Sequence, residues 1–167
     1  QFGRFDVHQI AARAISAVGF VVVGHAAAGK VLHGDDQALA IIMDLDLKGR
    51  VAVITGGAAG IGEAIARALA AEGCVICILD KNADAARKAA SAIVGSSKQA
   101  ISAAADVGDA DAVTRAFEQF VASKKRIDIL VNAAGLLSTG LAADLPPAEW
   151  QKVSQVNLAG VLYCAKA

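Results

Sequence analysis

The sequence predicts an α/β fold, in which helices cover both faces of a doubly wound parallel sheet. Four short runs, at 51–55, 74–79, 100–105 and 127–131, are largely apolar. Strands buried on both faces of a sheet have this composition, whereas half-exposed strands alternate apolar and polar residues. Helical patterns separate the runs, and a glycine-rich turn joins the first run to the first helix. Strands that alternate with helices favour a parallel sheet.

The composition fits one domain and excludes several classes of partner. The 167 residues are enough to bury a sizeable core. Lysine plus arginine and aspartate plus glutamate number 16 each, so no net field attracts nucleic acid or an anionic membrane. We therefore expect neither a nucleic-acid partner nor a membrane partner. Aromatic residues make up only 4% of the chain, so alanine, valine and isoleucine must supply the core.

The turn after the first strand has the features of a phosphate cradle. Glycines occupy positions 56, 57, 60 and 62, between the strand at 51–55 and a helical pattern at about 60–72. Glycine allows a tight turn and a close approach of a diphosphate, while the helix N-terminus offers free N–H groups and a positive dipole end. Because a strand precedes this turn and a helix follows it, a dinucleotide site is the favoured interpretation.

The second strand, at 74–79, ends at a carboxylate that suits the same ligand. Asp80 stands 18 positions beyond Gly62, close to the offset at which an acidic residue meets the adenosine ribose. A carboxylate accepts hydrogen bonds from both ribose hydroxyls and repels a 2′-phosphate. The alternative interpretation is an ordinary acidic residue in the turn after a strand.

Two of the three cysteines have the spacing of a redox or zinc half-site. Cys74 and Cys77 lie in the second predicted strand. Strand residues three apart point to opposite faces of the sheet, so the two thiols diverge. A zinc site would also need a second such pair, which the sequence lacks. We interpret both cysteines as core residues.

The alternation continues through a second helix and a third strand. Asn82 is predicted to cap a helix that runs to about Val94. The third strand, at 100–105, leads into Asp106-Val107. On its own, an acidic residue at this place is usually a helix cap.

A third helix, a fourth strand and a last helix follow. Asp109 opens the third helix, whose predicted apolar side consists of Val113, Phe117, Phe120 and Val121. The fourth strand, at 127–131, leads into Asn132-Ala133-Ala134-Gly135. Pro146-Pro147 starts the last helix, since proline suits a first helical turn.

These residues resemble the cofactor-binding portion of the short-chain dehydrogenase/reductase family. The pattern Thr55-Gly56-x-x-x-Gly60-x-Gly62 is similar to the family's cofactor motif, and Leu47-Lys48-Gly49-Arg50 resembles the segment before its first strand. The sequence at 132–135 is similar to the family's Asn-Asn-Ala-Gly signature, with Ala133 in place of the second asparagine. The resemblance implies a Rossmann-like sheet of strand order 3-2-1-4, truncated after the fourth strand and its following helix.

The resemblance also implies a cofactor and the residues that bind it. The implied cofactor-binding residues are Gly56, Ala59, Gly60, Ile61, Gly62, Asp80, Asp106, Val107, Asn132, Ala133, Ala134 and Gly135. In the family, Asp106-Val107 would border the adenine pocket. Relatives that prefer NADP usually carry a basic residue where this chain has Ala59 or Asp80, so we expect NAD. Lys81 leaves NADP open as the second choice.

Asn157 is the implied catalytic asparagine. It stands in Val156-Asn157-Leu158-Ala159-Gly160, similar to the helix segment from which relatives draw an asparagine that holds a water of the proton relay. Hydride transfer in the family also needs a serine, and a tyrosine four positions ahead of a lysine, on later elements. Tyr163 stands three positions ahead of Lys166, in the helix of Asn157, so we do not assign it that role. We therefore expect a fragment that is marginally stable and inactive by itself.

Residues 1–46 are predicted to be an extension ahead of a partial NAD-binding domain at 47–167. The apolar stretch at 10–24 is too short for a membrane span. A signal peptide and a mitochondrial transit segment both stay open, and we expect a cytoplasmic protein, with the mitochondrion as the alternative. The segment 24–30 has phosphate-loop spacing, but Val31 replaces the hydroxyl that would hold magnesium. The three histidines lack metal-ligand spacing, so we predict no metal site.

Two functions from different classes follow from these features. The first is an NAD-dependent oxidoreductase that passes hydride between the nicotinamide and a secondary alcohol or ketone, with the full-length enzyme expected to be a homo-oligomer. The second is a non-catalytic nucleotide-binding or interaction protein that keeps only the front half of the fold.

Overall fold

The computed structural model describes residues 45–94 and 99–167. The predictions for the apolar stretch at 10–24, the phosphate-loop-like segment at 24–30 and the three histidines all fall outside these ranges. No helix within the described ranges is long and apolar enough to cross a membrane.

Strands and helices alternate along the described chain, as the sequence predicts. The elements are β1 Val51–Thr55, α1 Gly60–Ala71, β2 Val75–Asp80, α2 Ala83–Val94, β3 Ala100–Ala104, α3 Ala110–Lys124, β4 Ile129–Asn132, a 3₁₀ turn Ala142–Asp144, α4 Pro147–Ser154, a π-helical segment Gln155–Ala159, and α5 Gly160–Lys166. The four strands pair in the order β3-β2-β1-β4, and every pair is parallel. The predicted fold class and strand order are therefore confirmed.

The sheet is buried on both faces, which explains why its strands are apolar throughout. Ala52 and Ile54 of β1 belong to a core with α1 and α2, whereas Val51 and Val53 belong to a second core with α3 and α5. Each core is one side of the pleat, because successive side chains of a strand point to opposite faces. Helices on both faces make the sheet doubly wound.

The cysteines are divided between these two cores. Cys74 lies in the core with α1 and α2, and Cys77 and Cys164 lie in the core with α3 and α5. All three thiols are free and buried. Burial raises the pKa of Cys74 and of Cys164 to about 11 and that of Cys77 to about 12. They are therefore protonated at neutral pH, as expected for core residues.

Local signals in the sequence explain where the helices begin and end. After α1, Gly73 has φ +86, and the N–H groups of Gly73 and Cys74 donate to the carbonyls of Ala70 and Leu69. This pair of bonds is a Schellman cap, which requires a residue that tolerates a left-handed conformation. At the start of α3, the Asp109 carboxylate accepts from the N–H groups of Asp111 and Ala112, as an N-cap does.

Two details of the helices differ from the sequence-based expectation. Val121 was predicted on the apolar side of α3, but it is 43% exposed. The buried stripe consists of Val113, Ala116, Phe117 and Phe120, and Val121 lies at its margin. The last helix was predicted to be continuous, but the π-helical segment interrupts it between α4 and α5. Such segments are rare and occur mostly as single turns within α-helices.

Asp128 fixes the amino-terminal end of the sheet, away from the glycine-rich turn. Its Oδ2 accepts from the Val51 N–H at 2.8 Å, and its own N–H donates to the Val51 carbonyl at 2.8 Å. Partial burial opposes ionisation, but the Val51 N–H and the guanidinium groups of Arg126 and Arg50 outweigh it and lower the pKa of Asp128. The ionised carboxylate therefore stabilises the folded chain.

The lowered pKa of Asp128 gives a pH-dependent prediction. A carboxyl with a lower pKa in the folded state stabilises above its unfolded pKa of about 3.9, and this contribution disappears as pH falls through the folded pKa. We expect Asp128→Asn to lower the free energy of unfolding by about 2 kcal/mol at pH 7. The difference from the unsubstituted chain should shrink as pH falls below the unfolded pKa of about 3.9 and through the lower pKa of the folded state. Urea unfolding of both proteins at several pH values measures this difference in the free energy of unfolding. Glu118→Gln, at an exposed carboxylate, is the control. A difference that does not change with pH, or an equal effect of the control, would contradict the prediction.

Candidate functional site

A cleft lies at the carboxyl ends of the strands, where the strand order reverses between β1 and β4. Parallel α/β sheets bind ligands at such a switch point. The cleft is open to solvent, and its empty volume, which includes part of that solvent, is about 480 Å³. Its lining consists of Gly56, Leu79, Asp80, Lys81, Ala105, Asp106, Val107, Ala134, Gly135, Leu136 and Val156.

Gly56 of the glycine-rich turn lines the cleft, and the turn is packed too closely for a side chain at Gly56 and at Gly62. A Cβ on Gly62 would lie 2.2 Å from the Gly56 carbonyl oxygen. Gly56 has φ +62, and a Cβ there would lie 2.8 Å from the Ala134 Cα. Ala59 is the N-cap residue of α1, and its methyl side chain makes no capping hydrogen bond. The first N–H groups of the helix are therefore not capped by the side chain of this residue. This geometry leaves the backbone open to an anionic ligand.

Thr55, which was not among the predicted site residues, joins the turn to the loop after β4. Its side chain is 1% exposed, and it is the one buried polar residue in the parts of the chain that the structure describes. The Oγ1 atom accepts from the N–H groups of Ala133 and Ala134, each at 3.1 Å, and donates to the Val131 carbonyl at 3.4 Å. The sequence feature that could have identified Thr55 as a site residue is its position directly before Gly56, the first glycine of the cofactor motif.

Asp80 lies beside the turn with capacity for further hydrogen bonds. Its Oδ2 accepts from the Ala58 N–H at 3.2 Å, and its Oδ1 accepts from the Asn82 N–H at 3.0 Å. An ionised carboxylate has about four acceptor positions, so each oxygen keeps capacity for a donor from the cleft. Asp80 is half-buried, and the bond to Ala58 fixes its orientation relative to the turn.

The turn after β3 forms the opposite end of the cleft. The Gly108 N–H donates to Asp106 Oδ1 at 2.9 Å, and the Asp109 N–H donates to the Asp106 carbonyl at 3.0 Å. These bonds hold the turn closed and leave Oδ2 of Asp106 available. Asp80, Lys81 and Asp106 are the charged residues of the lining, so two carboxylates face one ammonium and the lining has a formal charge of −1.

Asn157 lies in the π-helical segment, with both polar atoms of its side chain engaged. Its Oδ1 accepts from the Leu136 N–H at 2.8 Å, and its Nδ2 donates to the Leu136 carbonyl at 2.9 Å. Asn157 therefore holds the loop after β4 by its backbone. Tyr163 packs against the core with α3 and α5 and is not among the residues of the cleft lining.

The structure brings together about half of the residues implied by the family resemblance. Six line the cleft itself: Gly56, Asp80, Asp106, Val107, Ala134 and Gly135. Ala59, Gly60, Ile61 and Gly62 belong to the turn and the first residues of α1. Asn132 ends β4 opposite Thr55, and Ala133 follows it and donates to the Thr55 hydroxyl, but neither is part of the lining. Within residues 45–94 and 99–167, no cluster of three metal-ligating side chains is present.

Comparison with known proteins gives one consistent result. A family model described as short chain dehydrogenase matches residues 50–167. D-threitol dehydrogenase of Mycolicibacterium smegmatis is 38% identical over 131 residues, which cover 78% of this chain and 50% of that protein. 2,3-Dihydro-2,3-dihydroxybenzoate dehydrogenase of Bacillus subtilis is 37% identical, over 72% of this chain and 46% of that protein.

Solved structures agree with these relatives. A short-chain type dehydrogenase/reductase from Mycobacterium marinum superposes with a TM-score of 0.70 at 32% identity, over 74% of this chain and 51% of that one. L-Sorbose reductase from Gluconobacter frateurii, solved with NADPH and L-sorbose, gives 0.69 at 31% identity, over 71% and 46%. The chain spans about half the length of the curated relatives it matches.

Proposed function

The chain belongs to the short-chain dehydrogenase family, and on that premise we propose that it supplies the NAD site of an oxidoreductase that interconverts secondary alcohols and ketones. The observation that carries the proposal is the cleft at the switch point, which is lined by Gly56 of the glycine-rich turn and by the carboxylates of Asp80 and Asp106. Bound there, the nicotinamide ring would accept or deliver hydride. The residues of this chain bind and orient the cofactor.

The residues present fit a dinucleotide. The contact between Gly62 and the Gly56 carbonyl leaves no room for a side chain, so the turn packs tightly against the start of α1, and the N-terminus of that helix would bind the diphosphate. Asp80 keeps acceptor capacity for two ribose hydroxyls while its bonds to Ala58 and Asn82 hold it in place. Asp106 Oδ2 is free to accept from an adenine amino group.

The same residues favour NAD over NADP. A 2′-phosphate would have to lie against the Asp80 carboxylate, and Lys81 is the single cation among the three charged lining residues. Like charges at close range are unfavourable by an amount that depends strongly on burial. The net negative lining therefore supports a 2′-hydroxyl as the preferred group.

Relatives support the substrate class. The named relatives include a D-threitol dehydrogenase and a meso-2,3-butanediol dehydrogenase, and a named structural neighbour is an L-sorbose reductase. These names share the interconversion of a hydroxyl and a carbonyl group. Asn157 orders the loop that follows β4 at the edge of the cleft, because it makes two hydrogen bonds to the backbone of Leu136.

Replacing Asp80 tests the cofactor assignment. We expect Asp80→Ala to weaken NAD binding by roughly tenfold to a hundredfold, since hydrogen bonds to a charged group each contribute about 1.5–3 kcal/mol. NADP binding should strengthen, because the repulsion is removed. Calorimetric titration of the whole chain with each dinucleotide measures both effects.

Asp84→Ala is the matched control, because Asp84 is an exposed carboxylate on α2 outside the cleft lining. We expect it to change neither affinity by more than about twofold. Tighter binding of NADP than of NAD by the unsubstituted chain would refute the preference. Failure to bind either dinucleotide would refute the function.

A further inference from the structure

The π-helical segment contacts both walls of the cleft through three consecutive residues. Gln155 Nε2 donates to the Gly108 carbonyl at 2.7 Å, which belongs to the turn after β3. Asn157 binds the Leu136 backbone in the loop after β4. Val156, between them, lines the cleft. Consecutive side chains of a helix point in different directions around its axis, so a single turn of this segment reaches one wall on each side of the cleft.

Gln155 completes the bonding of Gly108. The Gly108 N–H donates to Asp106 Oδ1 at 2.9 Å, and its carbonyl accepts from Gln155. A carbonyl can only accept, so the amide nitrogen of Gln155 must face it. The side chains of Gln155 and Asp106 also pack closely on Gly108, because a Cβ there would lie 3.2 Å from Gln155 Cγ and 3.3 Å from Asp106 Oδ1.

The helix makes a second, independent contact with the same turn. Gly160 is buried, and a Cβ at this position would lie 2.9 Å from Val107 Cγ2 and 3.1 Å from the Val107 carbonyl. Val107 is 6% exposed and lines the cleft. The absence of a side chain on Gly160 therefore lets the helix approach the turn directly.

We propose that Gln155 is a positioning residue for the adenine end of the dinucleotide, and that the π-helical segment braces the turn at 106–108 against the loop at 134–136. Gln155 acts through Gly108 on the Asp106 carboxylate and does not itself touch the cofactor. Asn157 holds the other wall. The adenine assignment rests on the proposed function, whereas the brace is a property of the chain without any ligand.

Gln155→Met tests the role, because methionine has nearly the same length and helix propensity but cannot donate a hydrogen bond. We expect ADP-ribose and NAD to bind about three- to tenfold more weakly, by equal factors, since both ligands carry the adenine end. The substitution removes the bond to the Gly108 carbonyl at 2.7 Å and a longer bond to the Tyr163 hydroxyl at 3.4 Å. In the chain without nucleotide, amide exchange at Gly108 and Asp109 should accelerate by a similar factor, with Leu136 unchanged. Asn157→Leu should show the reverse pattern, with faster exchange at Leu136.

Gln151→Met is the control, because Gln151 is exposed on α4 one turn earlier. The proposal is overturned by unchanged affinities, by unchanged exchange at Gly108 and Asp109, by an equal effect of Gln151→Met, or by faster exchange spread over β1 and β2. If the unsubstituted chain binds neither ADP-ribose nor NAD, the proposed function and the adenine role fall together, and the exchange pattern alone decides the brace.

Discussion

Replacing Gly62 with alanine is expected to weaken NAD binding by roughly a hundredfold, the effect of losing about one or two hydrogen bonds to a charged group. The new Cβ would lie 2.2 Å from the Gly56 oxygen, 2.8 Å from the Gly56 carbonyl carbon and 3.1 Å from the Gly57 Cα. All three atoms belong to the backbone, so no side chain can rotate away and the turn itself must open. We also expect a loss of about 3 kcal/mol in the free energy of unfolding, at the upper end for overpacking.

Calorimetric titration with NAD and urea unfolding measure the two effects of Gly62→Ala. Gly49→Ala is the control: Gly49 has φ +77 but nothing within 4 Å of a built Cβ, and it lies ahead of β1, away from the cleft. This variant should lose about 1 kcal/mol from the left-handed conformation and bind NAD normally. Near-normal NAD affinity in Gly62→Ala would show that the turn is not the diphosphate site.

Replacing Thr55 with valine is expected to lower the free energy of unfolding by about 2–4 kcal/mol, because several partners lose their hydrogen bonds at once. The Ala133 and Ala134 N–H groups lose their acceptor, and the Val131 carbonyl loses a donor. Valine has nearly the same shape as threonine, so the cost reports the hydroxyl rather than a cavity. The loop after β4 should become mobile, and NAD affinity should fall with it.

Thr55→Ser separates the hydroxyl from the methyl group. It keeps both acceptor bonds and removes one buried methyl, so it should lose only about 1 kcal/mol. Urea unfolding of the three proteins measures the series. Equal losses for the serine and valine variants would mean that packing, and not the hydroxyl, joins β1 to the loop after β4.

The sequence determined most of the scaffold. The four strands are apolar because helices cover both faces of the sheet, and that burial is visible in the composition of each run. Gly73 and Asp109 mark helix ends because their caps use bonds within a few residues of the chain. Asp80 could be picked out because its distance along the chain from the glycine turn is fixed by one helix and one strand.

The sequence also determined which residues were candidates for the cleft, and the structure decided which of them meet there. Gly56, Asp80 and Asp106 line one cleft, whereas Asn132 ends its strand beside it. The physical reason is the pleat and the strand register, which set the direction of each side chain only once strands from distant parts of the chain have paired.

Only the tertiary structure revealed the contacts that hold the cleft together. Thr55 bonds to residues 78 and 79 positions away, and Gln155 bonds to a carbonyl 47 positions away. The π-helical segment widens a helix whose sequence is compatible with ordinary α-helical geometry, and its contacts to the two walls exist only when both loops are in place. Local patterns record propensity and burial, but a hydrogen bond between distant residues leaves no periodicity in a single sequence, so the scaffold could be predicted and its bracing could not.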